Sequence, residues 1–361
     1  LGIHNTLSMS GDPIHIGNHP DAAVVNDIDT MELLRLQGSL REGRFANADA
    51  EALKGAAPHL HIGATANPFA LAPGSLLPIT PITAQPLALG LNPNMVELQT
   101  LFQQRKLAIV NNVGPLLVPT TKAQYEAESV PLPPNLFAHD EQQEQWMTGV
   151  PSGPLVPQKY GWGGRIADLL YSLNGNTQVS LSVALDGSTN LFQLGRVVVP
   201  FQTYPGNLPQ LFGYNPGQAD AMSSAITQII TASKTNALES QWNRSLKRAV
   251  DVTQVLSDAL DATPPLATVF PGTEENAANP NYLAAQLKAA ARMISASGLL
   301  GLKRQVFFVA LGGFDTHDNQ ATDQPNLFVA LSQALALAMG GSLQPRTVSP
   351  GAELVLRVPR G

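Results

Sequence analysis

Residues 306–311 are six apolar residues in a row, Val, Phe, Phe, Val, Ala and Leu, and they stop at Gly312 and Gly313. A run this long and this rich in Val and Phe suits a strand covered on both faces, as in a parallel sheet flanked by helices. The reading is an interior strand over 305–311. The glycines let the backbone turn sharply, and Phe314-Asp315-Thr316-His317 follows. On an extended backbone Asp315 and His317 point the same way, and open α/β sheets gather their ligands beyond the carboxyl ends of the strands. A carboxylate beside an imidazole can share a divalent metal, or act as a base with its orienting partner. The same residues also read as a polar turn whose Asp caps the next helix.

At 361 residues and 44 % hydrophobic content, the chain can bury the core of one large α/β domain or two ordinary ones. Only 13 % of residues are charged and the net charge is -6, so no basic surface points to nucleic acid or anionic lipid. No run approaches the roughly 18 apolar residues that a membrane span needs, and no signal-peptide pattern is visible. With no cysteine, a metal would have to be held by Asp, Glu, His, Asn or hydroxyl groups.

Three regions differ in texture. Residues 1–65 hold five of the seven histidines and only short apolar runs, so they read as an atypical, loosely packed segment with one helix over 29–41. Asp12, His15, His19 and Asp21 there could cluster on a metal, but no element fixes their geometry. Residues 66–339 read as an α/β domain, and 340–361 as an irregular tail. Within the domain, the recurrent prolines of 68–90 favour an extended covering segment. Asn92-Pro93 opens a helix with Met95, Leu98, Leu101 and Phe102 on its apolar face, and 107–114 follows as a short buried strand ending in Gly.

Residues 115–165 read as a long loop region of the kind that often carries function. His139 and Asp140 precede a short helix with Gln143 and Trp146, with Asp140 as its N-cap or first-turn acid. Tyr160-Gly161-Trp162-Gly163-Gly164-Arg165 opens a helix through Ile166, Leu169 and Leu170. Its glycines allow close backbone packing and could bring Arg165 to an anion, without matching a phosphate-loop spacing. Strands are expected over 179–185 and 197–199, with 186–190 a polar turn that could bear ligands. Residues 221–260 form one or two amphipathic helices, with Ile226, Ile229, Ile230, Leu238, Trp242, Leu246, Val250, Val255 and Leu256 on one stripe against the sheet. Helices over 281–300 and 327–339 flank the central strand, and that order supports an α/β layered domain.

Several stretches together resemble the exported bacterial family called domain of unknown function 1501, of the alkaline phosphatase and sulfatase superfamily. They are Leu77-Pro78-Ile79, residues 91–95 and 107–114, His139 with Trp146 and Gly149, residues 161–165, Asn190-Leu191-Phe192-Gln193, and above all Gly312-Gly313-Phe314-Asp315-Thr316-His317. The resemblance implies a three-layer αβα sandwich with a mostly parallel central sheet, here partial. It also implies twin-arginine export to a periplasmic or secreted location, and metal-dependent hydrolysis of phosphate or sulfate esters. Zinc, manganese or calcium would be held by Asp315, His317 and His139, with Asp140, Trp146, Arg165 and Asn190 as binding residues. A co-encoded exported protein is a further expected partner. Two family features are not found in the sequence: an opening strand whose Gly-Gly-x-Asp loop carries a metal-binding acid and a nucleophile, and later strands with Phe-Gly-Arg and Asp-His-Gly loops. Three readings stay open: a metallohydrolase, a non-catalytic binding or assembly protein, and an incomplete gene product.

Overall fold

The computed structural model describes residues 24–25, 70–71, 73–83, 89–109, 116–134, 136, 139–149, 160–174, 177–187, 190–206, 208, 211–274, 277–314, 316 and 320–339. The expectations for 1–65, apart from Val24 and Val25, and for 340–361 fall outside these residues. The strands are β1 (Val24–Val25), β2 (Ala70–Leu71), β3 (Leu77–Ile79), β4 (Leu89–Leu91), β5 (Ser182–Ala184), β6 (Phe201–Gln202) and β7 (Val306–Phe308). The helices are α1 (Val96–Gln103), α2 (Lys122–Glu126), α3 (His139–Thr148), α4 (Trp162–Asn174), α5 (Ala221–Thr231), α6 (Ala237–Asp261), α7 (Tyr282–Ser295) and α8 (Gln320–Ala338). The chain is thus mixed α/β, with a small parallel three-stranded sheet. It divides into two compact units: Leu1–Lys159 with Phe270–Ala284 and Ala310–Gly361, and Tyr160–Val269 with Ala285–Val309.

In the first unit, β3 pairs antiparallel with β4, Pro78 opposite Gly90. The proline carbonyl is put to use, accepting from Gln99 Nε2 at 2.7 Å and Gln103 Nε2 at 3.1 Å, which ties α1 to the strand. Met95, Leu98 and Leu101 are buried as the sequence pattern requires, and α1 packs on α8. The helix ends with Arg105 at φ 62°, its N–H on the Phe102 carbonyl and the Lys106 N–H on that of Leu101. That double bond pattern is a Schellman closure, with arginine where glycine is usual. The strand expected over 107–114 is not formed at 107–109: Ala108 is exposed, and no strand pairs with this stretch among the described residues. The rest of it lies outside them.

In the second unit the sheet order is β6-β5-β7, all parallel. The interior strand is β5, with Ser182, Val183 and Ala184 all at 0 % exposure. The expectation of an interior strand over 305–311 is corrected: β7 is three residues long, lies at the end of the ladder among the described residues, and is half-buried throughout. An uninterrupted apolar run reports partial cover on both faces, and Phe192 supplies such cover to Phe308 at a ring separation of 5.5 Å. It does not report how many neighbours the backbone pairs with. The core gathers Val179, Leu181, Val183 and Leu185 with Val252 and Leu256 of α6 and Ala290 and Met293 of α7.

The long helical pattern of 221–260 breaks into α5 and α6, with Asn236 capping α6 through the N–H groups of Leu238 and Glu239. The single stripe expected along it does not hold. Asn243 is buried, and its Nδ2 donates to the Ile229 and Ala232 carbonyls at the end of α5, 3.0 Å each. With Asn243 facing inward, Leu238 and Trp242 are turned to solvent, and Val252, Leu256 and Ala259, with Val255 and Leu260 beside them, carry the helix onto the core.

The strand expected at 197–199 is also displaced, to β6. Val198 is buried between exposed Val197 and Val199, a strand-like alternation. The N–H groups of Arg196, Val197 and Val198 nevertheless bond to the Asp168 carboxylate at 2.7, 3.0 and 2.8 Å, so a side chain takes the donors a ladder would use.

Candidate functional site

The sequence after β7 turns as its glycines require. Gly312 and Gly313 are exposed, and Gly313 has φ 94°, a conformation that side chains other than glycine's strain against. Phe314 then plugs back in, 3 % exposed and edge-on to Phe328 at 5.5 Å. Thr316 is half-buried, and its Oγ1 has no hydrogen-bond partner among the described residues. Asp315 and His317 lie outside the described residues.

His139 and Asp140 are the first two residues of α3 rather than residues before it. Asp140 therefore stands in the first turn, where an acid complements the partial positive charge of the helix N-terminus. Their side chains lie outside what is described. Trp146 is half-buried on the same helix, between Gln145, whose Nε2 donates to the Pro134 carbonyl at 2.9 Å, and the end of the helix at Gly149, φ 62°. Gln143 is exposed.

Arg165 and Asn190 belong to the second unit, and the structure brings their two stretches together. The start of α4 packs on the 3-10 turn Leu191–Gln193 so closely that a Cβ at Gly161 would sit inside the Leu191 and Phe192 carbonyl oxygens, and one at Gly164 inside the Leu194 carbonyl. Gly163 leaves room for the Phe192 ring, which Trp162 meets edge-on at 4.5 Å. Arg165 donates to the Tyr160 carbonyl at 3.1 Å, and Asn190 accepts from the Gln193 N–H at 3.3 Å as the cap of the turn. Both residues have a structural task where the sequence suggested ligand contact. On α4 itself the buried residues are Gly163, Gly164, Ala167 and Asn174, while Ile166 and Leu169 are exposed.

Polar residues to which the sequence gave no task of their own hold these arrangements. Burial of Asp168 works against its ionisation, but the three N–H groups and the Arg196 charge outweigh this and lower its pKa from the ordinary value. Asn174, buried at the end of α4, accepts from the Lys303 and Arg304 N–H groups at 2.7 and 2.8 Å and donates to the Arg304 carbonyl at 2.9 Å, pinning the entry to β7. Gln193, fully buried, donates to Ser182 Oγ of β5 at 3.3 Å. In the first unit, Ser332 donates to the buried Glu97 carboxylate at 2.6 Å and accepts from the Leu98 N–H at 3.3 Å. Asn174 precedes a glycine, a helix-end pattern the sequence does show. The partners of Asp168 and Glu97 are 28 and 235 residues away, beyond any local pattern.

Among the described residues no group of three or more His, Asp or Glu side chains could hold a metal ion, and none of their helices is long and apolar enough to cross a membrane. Comparison with protein-family models, curated proteins and solved structures finds no match to this chain.

Proposed function

We propose that this chain is an exported α/β protein resembling the alkaline phosphatase and sulfatase superfamily, whose Asp315 and His317 hold a divalent cation beside a phosphate or sulfate ester. The observation that carries the reading is the sequence Gly312-Gly313-Phe314-Asp315-Thr316-His317 following a parallel strand, with a glycine-only turn at Gly313 and Phe314 anchoring the segment. A three-layer αβα sandwich is the fold that goes with it. Asp315, His317 and His139 offer one carboxylate and two imidazoles, a donor set that suits zinc or manganese better than calcium, which takes about six to eight oxygens. A bound cation would polarise the ester oxygen, and the chain's own residues would bind and orient the ester.

A second reading is a non-catalytic exported protein that binds a co-encoded partner. It is supported by the hydrogen bonds that Arg165 and Asn190 make within the fold, which give both residues a structural task. Hydrolysis of 4-nitrophenyl phosphate and 4-nitrophenyl sulfate, with zinc or manganese added, separates the two. Metal-dependent turnover that Asp315→Ala abolishes supports the first. Metal binding without turnover of either ester selects the second.

A further inference from the structure

We draw no further inference here: the strongest candidate, the solvent-facing apolar patch of Ile166, Leu169 and Leu173 along the outer face of α4, carries nothing because nothing in the structure shows what covers it.

Discussion

Strands β5 and β7 are neighbours in one ladder and are built from opposite materials. Ser182-Val183-Ala184 is small and partly polar, yet wholly buried; Val306-Phe307-Phe308 is large and apolar, yet half-buried. Position in the sheet follows backbone pairing, and among the described residues β5 pairs on both sides while β7 pairs on one. Small side chains let neighbours close over β5, where Gln193 Nε2 donates to Ser182 Oγ. Bulk on β7 serves instead as a lid seat, with Phe308 under Phe192.

The sharpest way to break this comparison is a matched pair of charges. Val183→Asp would bury a carboxylate with no partner and cost more than about 4 kcal/mol, enough to abolish cooperative unfolding of the second unit. Val306→Asp, on half-buried β7, should cost about 1–2 kcal/mol. Urea denaturation followed by tryptophan fluorescence reads both; equal losses would mean that β7 is as interior as β5.

Next is the cover over the sheet. Gly161→Ala places a methyl group inside two backbone carbonyls and should cost about 3 kcal/mol, since backbone cannot step aside as a flexible side chain would. An unchanged midpoint would show that the start of α4 and the Leu191–Gln193 turn are not locked together. Asn174→Ala strips three hydrogen bonds from the segment entering β7 and should cost about 2 kcal/mol. Its amide-exchange signature should be faster exchange at Lys303 and Arg304, with β5 still protected.

The smallest effect concerns the segment leading to β6. A carboxyl with a lowered folded-state pKa stabilises above the unfolded value and loses that stabilisation as pH falls through the folded one. Asp168 should therefore support the second unit at neutral pH and do so less below about pH 4. Partial exposure lets solvent screen it, so the contribution is modest. In Asp168→Asn, the loss of urea midpoint between pH 6 and pH 3 should shrink; an identical loss in both proteins would contradict the role assigned to its three N–H bonds.

These same places show what was legible in the sequence. Amphipathic spacing located α1 and the second half of α6, because their buried faces carry large apolar residues; on α7 it holds for Leu283 and Leu287, while Ile294 is exposed. It does not reveal the inward face of α4, which is made of Gly163, Gly164 and Ala167, residues that pattern reading scores as neutral. The apolar run of β7 was legible as a strand, but its rank in the sheet depends on partners more than a hundred residues away. At the candidate site, the glycine turn after β7 was legible because a positive φ requires a particular residue. The engagement of Arg165 and Asn190 was not, since each stretch explains the other only once both are folded.

Manganese titration of the full chain, followed by electron paramagnetic resonance of the free ion, tests the proposed site most directly. A site with few protein ligands binds weakly, because the outer groups that orient and reinforce them are as important as the ligands. The account predicts weak binding that falls by at least about tenfold in both Asp315→Ala and His317→Ala. Equal affinity in the parent protein and both variants, or no binding to the parent protein at all, would contradict it.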